Sequence, residues 1–424
     1  MARAPVAPSP SGSTDRLGPD FWKVLGSSGA SNLADGIFQV ALPLIAASLS
    51  DSPLVVAGVP IAGRLPWLVF VLFAGAIADR VDRLRTMRNV QLARVLILGL
   101  MTLLAMGGQL GIPVLYVVAF ALGVGETLFD TSAQSLVPNI VRPAQLSLAN
   151  GRLYAVELAM NQFVGPPLGG VLVGIGIPVA LGGSVVGYAL AALGLALIAG
   201  SFRAKRVGPP TSVLRDIAEG WRFVVGHRLL RTLAIMVGVM NLASNAVWAV
   251  FVLYAISPGP MGLSDAGFGI LMTTLALGSV IASLLTPRLE ARFGPGRVVW
   301  ASVVINCVSL GIPAITSNVL VVGASFVAAG FGAVSWNIIT VSFRQRITPD
   351  ALLGRMNATY RLFAWGTQPV GALLGGIVAE LFGLESVFVL GAVLIAVLVL
   401  ARGIVTDEAL RATDLRTAEA NTLA

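Results

Sequence analysis

The chain has one cysteine, Cys307, and one histidine, His227, in 424 residues. Neither a disulfide framework nor a Cys/His metal cluster can be built from single residues of each kind. Cys307 lies in an apolar run and reads as packing, and His227 lies in a basic loop and reads as solvated. No Ser/His/Asp set gathers around that lone histidine, so no enzyme constellation is present. Lysine is scarce too. Of 28 basic residues only Lys23 and Lys205 are lysines, and they follow Trp22 and Ala204. A Gly-Lys-Ser/Thr phosphate loop is therefore missing, which argues against ATP hydrolysis within the chain. No cofactor and no metal are implied. The arginine bias points to a GC-rich bacterial genome.

Charge of either sign is also sparse, at 11% of residues against 56% hydrophobic. A soluble protein of this length carries far more charge on its surface. The net charge of +8 sits in loops beside apolar runs. That placement suits lipid headgroups and membrane topology and leaves no case for nucleic acid.

What the sequence has in quantity is apolar runs of about 20 residues, the length of a membrane helix. Twelve are predicted, near 22–49, 53–78, 89–110, 112–137, 145–174 and 178–201, then 229–256, 265–289, 297–316, 318–343, 352–382 and 385–405. Residues 1–20 are rich in Pro, Ser, Gly and Ala without an apolar core region, so they read as a disordered tail and not a signal peptide. Connections after even-numbered spans carry Arg80, Arg83, Arg85, Arg88, Arg142, Arg203, Lys205, Arg206, Arg292, Arg297, Arg344 and Arg346. Connections after odd-numbered spans carry no Lys or Arg. Both termini are thus expected in the cytoplasm.

The longest connection, 202–228, holds Val213, Leu214, Ile217, Trp221 and Val224 at helical spacing with charges between them, which predicts an amphipathic surface helix. On either side of it the chain repeats. Pro143, Leu146, Tyr154 and Gly165 recur as Pro349, Leu352, Tyr360 and Gly371 at a constant offset of 206. The expected architecture is an all-α integral membrane protein of two pseudo-symmetric six-helix halves, 21–201 and 229–405, with a polar tail over 406–424. Such repeats place a site between the halves near the midplane.

The loop between the second and third runs reads Gly75-Ala-Ile-Ala-Asp79-Arg80-Val-Asp82-Arg83-Leu-Arg85-Thr-Met-Arg88. Charge this dense between two membrane helices must sit in water, and its arginines assign it to the cytoplasmic face. Asp79 and Arg83 can tie helix ends together, and Gly75 admits a close neighbour. At these residues the chain resembles the major facilitator superfamily, whose corresponding loop carries Gly-x-x-x-Asp-Arg-x-Gly-Arg-Lys/Arg. Asp82 replaces the second glycine, as in the branch of macrolide-efflux and enterobactin-type siderophore exporters. The stretches Asp35 to Pro43, Gly125 to Asp130 and Pro349 to Arg355 extend the likeness over roughly residues 20–400. Gly165-Pro166-Pro167-Leu168-Gly169-Gly170 resembles the Gly-Pro-x-x-Gly-Gly motif of antiporters in that superfamily, although Ala159 and Phe163 stand where the longer motif has glycines. Read from residue chemistry alone, the same stretch is a small-residue packing face bent by proline.

Charge inside a span is costly and needs a partner or a job. Asp35 near the middle of the first run and Glu126 in the fourth are candidates for proton carriage; the other reading is a permanent ion pair with Arg64 or a neighbour. Asp130, one turn nearer the cytoplasm, is placed to reach Arg83 and complete a gate with Gly75, Asp79 and Arg80. Arg64 and Arg361 are read as the guanidiniums far from an inner loop, pairing with a carboxylate such as Glu157 or touching substrate. Polar and aromatic positions expected to line a cavity are Asn32, Gln39, Asn161, Gln162, Asn241, Asn245, Trp248, Trp336, Asn337, Asn357, Trp365 and Gln368.

The resemblance implies a monomeric exporter in a bacterial inner membrane, driven by protons and acting on amphipathic small molecules by alternating access. Export of a siderophore-like metabolite clamped by Arg64 and Arg361 is the second transport reading. A membrane scaffold without transport is the reading from another class.

Overall fold

The computed structural model describes residues 17–69, 82–142, 145–200 and 213–411. They are almost wholly helical. In chain order the helices are α1 (Pro19–Leu49), α2 (Pro53–Val69), α3 (Arg83–Met106), α4 (Ile112–Ile140), α5 (Leu146–Glu157), α6 (Gly165–Ile175) and α7 (Ile177–Ala196). There follow α8 (Val213–Gly226), α9 (Arg228–Ala255), α10 (Asp265–Phe293), α11 (Pro295–Gly311), α12 (Val319–Ile347), α13 (Asp350–Phe382) and α14 (Leu384–Ala396). A π-helical segment, Leu158–Val164, joins α5 to α6 without a break. Among the described residues eleven helices are long and apolar enough to cross a membrane, and Pro53–Pro66 is a shorter apolar helix.

Most helix ends fall within a few residues of the hydropathy boundaries. Two do not. The third run was expected from residue 89, but α3 starts at Arg83, because the Asp82 carboxylate accepts from the Arg85 N–H at 3.1 Å and caps the helix early. The sixth was expected to reach 201, whereas α7 ends at Ala196.

Packing follows small residues. An added Cβ at Gly36 on α1 would meet the Asn161 carbonyl and the Gly165 Cα, so these backbones touch where α1 crosses the join of the π segment and α6. Helix α1 also packs on α7, α7 on α3, and α2 on α4. In the later part of the chain α9 packs on α13, α10 on α12, and α11 on α12 and α14. Two broad contacts join these groups, α2 with α13 and α6 with α10.

The helix anticipated on the inner surface, α8, docks on α13. Trp221 stacks on Phe363 with ring centroids 5.1 Å apart, and Glu219 pairs with Arg355. His227 is not simply solvated. It is half-buried, and its Nδ1 accepts from the Leu230 N–H at 3.3 Å to cap α9. The start of the polar tail is tied down: the Asp407 carboxylate accepts from the Gly296 N–H at 2.7 Å, and just before it the Trp300 indole donates to the Val405 carbonyl at 2.8 Å.

Candidate functional site

A cavity of about 660 Å³ lies where α1, α2, α4, the π segment, α9 and α10 converge. Asp35 stands on its wall because α1 turns its polar stripe inward there. The Tyr188 hydroxyl of α7 donates to Asp35 Oδ1 at 2.5 Å, and Arg94 Nη1 of α3 lies 3.6 Å from the same oxygen. The Arg94 side chain is only 3% exposed. Its guanidinium also sits over the rings of Tyr188 and Phe129, at 5.0 and 5.7 Å from their centroids. A buried guanidinium costs several kcal/mol unless paired, on the order of the desolvation of any buried ion. The Asp35 carboxylate and two ring faces offset that cost here.

Two more carboxylates, Glu126 and Glu157, and a second guanidinium, Arg64, line the same space. Glu157 arrives there through the π segment. In an i→i+5 register Glu157 and Gln162 come onto one face, and both line the cavity, with Asn161 beside them. The charged groups in the wall, Asp35, Arg64, Arg94, Glu126 and Glu157, all come from residues before 160. The opposite wall, from α9 and α10, supplies Asn245, Trp248, Phe251, Phe268, Met272 and Leu275, and no charge among the described residues. Trp248 meets Phe326 edge-on at 4.9 Å and Phe251 at 5.5 Å, which fixes its ring. One side of the cavity is thus ionic and the other aromatic. No group of His, Cys, Asp and Glu among the described residues could hold a metal ion.

The transmembrane secretion effector family matches the chain over residues 20–422. The chain belongs to that family, within the major facilitator superfamily. It is 25% identical to the multidrug efflux pump Tap of Mycolicibacterium fortuitum over 85% of this chain and 89% of the pump. It is 21% identical to macrolide efflux protein A of Streptococcus pyogenes over 88% and 93% of the two chains. Among solved structures, a bacterial homologue of the iron transporter ferroportin in an inward-facing state superposes with a TM-score of 0.70 at 15% identity, covering 89% and 98%. The protein is a multi-pass membrane transporter and not an enzyme.

Of the residues singled out in this facilitator from sequence, the cavity brings together Asp35, Gln39, Arg64, Glu126, Glu157, Asn161, Gln162, Pro166, Asn245 and Trp248. Others lie elsewhere. Asn32 donates to the Ser28 carbonyl on its own helix at 2.8 Å. Asn241 donates to the Ala364 carbonyl at 2.6 Å, tying α9 to α13. Trp336 is buried in the core at 3% exposure, and Asn337 is exposed. Trp365 and Gln368 are half-buried and do not line this cavity. Gly165, Gly169 and Gly170 are buried against α1 and α10, the packing their size allows. Gly75, Asp79 and Arg80 lie outside the described residues, as do the side chains of Asp130, Asn357 and Arg361; Arg83 begins α3.

Sequence reasoning missed Arg94 and Tyr188. The sequence points to Arg64 and Arg361 as the deep guanidiniums, but Arg94, three turns into α3, is the one that meets Asp35. Its nearness to the arginine-rich loop disguised it. A signal did exist: Arg94 follows Gln91 by one turn, and Gln91 is wholly buried, donating to Ser31 Oγ at 2.8 Å.

Proposed function

We propose that this facilitator is a proton-coupled exporter of amphipathic small molecules working by alternating access. The observation that supports it best is the ionic cluster on one wall of the cavity, with Asp35 held by Arg94 and Tyr188 and with Glu126 and Glu157 nearby. Ionisable groups in a membrane interior are expensive and generally functional. A proton arriving at Asp35 or Glu126 changes the charge facing Arg94, and the two conformations then differ in energy by whatever that charge is worth in each. The aromatic wall gives an apolar solute its surface without competing for the proton.

In this reading the chain crosses the membrane twelve times with both ends in the cytoplasm, and halves 21–201 and 229–405 rock about the cavity. Gly75, Asp79, Arg80, Arg83 and Asp130 form the cytoplasmic gate; Pro166 and Gly170 keep the halves in close contact, while Gly165 and Gly169 pack on α1 within the first half. Efflux activity in the names of two relatives supports the export direction, and their bacterial sources support the cytoplasmic membrane of a bacterium.

The test is a compound panel measured for retention in cells with and without the protein, repeated after the proton gradient is collapsed. Reconstituted protein whose solute flux ignores pH on both sides removes proton coupling.

A further inference from the structure

Beyond the cavity, toward the ends where α1 joins α2 and α13 joins α14, the two groups of helices close on each other at two places. The lining of the cavity starts at Val59 on α2 and Phe268 on α10, and the closures lie just outside it. At one, Gly376 of α13 fits against Leu54 and Ala57 of α2. At the other, Gly170 of α6 fits against Asp265 and Ala266 of α10. Gly170 and Gly376 are equivalent positions of the internal repeat, 206 residues apart. The glycine contacts are therefore symmetric. Their polar contacts are not.

Helix α10 is capped from within, since Ser264 Oγ accepts from the Gly267 N–H at 3.2 Å. Helix α2 is capped from across the interface. Ser52 Oγ donates to Glu380 Oε2 of α13 at 2.8 Å, and the Leu54 N–H points at the same oxygen at 3.5 Å. The Val55 N–H lies 3.5 Å from Ser52 Oγ, and Pro53 fills the first helical position, where no donor is needed. In an ordinary capping box the carboxylate comes from the same helix, three residues on. Position 55 here is valine, and Glu380 takes the part of that carboxylate, with the positive end of α2 favouring its charge. The repeat position matching Glu380 is Gly174, which has nothing within 4 Å where a Cβ would be.

We propose that Glu380 is the outer clasp of the transporter: it holds the α2–α13 side of the closed end through Ser52, and among the described residues the α6–α10 side has no counterpart. Opening that end takes the Ser52 hydroxyl and the Leu54 N–H away from Glu380 at one edge and costs α10 nothing of its cap at the other. The outer end therefore parts at the α6–α10 side first, and release of Glu380 commits it to full opening. This rests on the alternating-access reading.

The test uses full-length protein with Cys307→Ser, carrying spin labels at Asp51 and Glu385, both exposed beside the clasp. Distance distributions are recorded in nanodiscs for the parent, Glu380→Ala, Glu380→Gln, Ser52→Ala and the double alanine variant. Melting temperature checks that each is folded. Glu380→Ala and Ser52→Ala are expected to raise the ratio of long to short distances about fivefold, as loss of a helix cap does to a local equilibrium. Glu380→Gln, which keeps an acceptor, falls between, and the double variant does no more than either single one. Unchanged distributions in both single variants, or effects that multiply in the double, overturn the clasp. A protein that opens on Glu380→Ala yet moves no solute in cells or liposomes keeps the clasp and sinks the transport reading.

Discussion

Asp35 on α1 and Arg94 on α3 stand 3.6 Å apart, with the guanidinium almost wholly enclosed and the carboxylate partly open to the cavity. That inequality sets their tasks. Arg94 cannot leave without exposing a large desolvation cost, whereas Asp35 can exchange a proton with cavity water. Asp35→Asn is expected to bind solute but to lose gradient-driven efflux, measured by binding to purified protein and by pH-driven flux in liposomes. Retained pH-driven flux removes Asp35 from the coupling step. Arg94→Met leaves the partly open Asp35 carboxylate without its counterion and should cost about 1 to 3 kcal/mol of stability, read from melting. The double variant should recover part of that loss.

Trp248 is held by Phe251 and Phe326 and faces the cavity from the wall without charge. Trp248→Ala is expected to raise KM for apolar solutes about tenfold, with proton movement per solute unchanged. Parallel flux and pH measurements check this. A changed proton ratio would contradict the separation of the two walls.

The π segment carries a residue more per turn than an α-helix can, and this register brings Glu157 and Gln162 to the cavity together. Deleting Ala159 should restore α-helical hydrogen bonding and turn Glu157 away. The expected result is a folded protein with a melting temperature near that of the parent and little transport. Normal transport after the deletion would show that Glu157 is not needed in the cavity.

His227 offers a pH test outside the spans. Burial pulls its pKa below the ordinary 6.5, so the folded protein holds it neutral and able to cap α9. The unfolded chain takes up the proton first as pH falls. Stability is therefore intact above the ordinary value, and it declines as pH drops through 6.5 toward the folded pKa. His227→Asn keeps a cap without titrating and should flatten melting between about pH 7 and 5. His227→Ala should cost about 1 kcal/mol at neutral pH.

Helix positions were legible in the chain because hydropathy and helix length are local properties. The expected 229–256 is α9 at Arg228–Ala255, and the expected 352–382 is α13 at Asp350–Phe382. The polar stripes were legible as well, since a charge in an apolar run advertises itself. Partners were not. Asp35 could have paired with any of several cations, and the choice of Arg94 depends on α3 and α7 packing against each other and α7 against α1.

The sequence by itself determined that this protein lives in a membrane, repeats itself at an interval of 206 residues and carries acids inside its spans. Each follows from composition or spacing along one line. Tertiary structure alone decided that five charges share one wall, that the other wall is aromatic, that a π turn delivers Glu157, and that Glu380 caps a helix over 300 residues away. Those relationships join residues far apart in the chain, and they exist only because close-packed helices fix which side chains can meet.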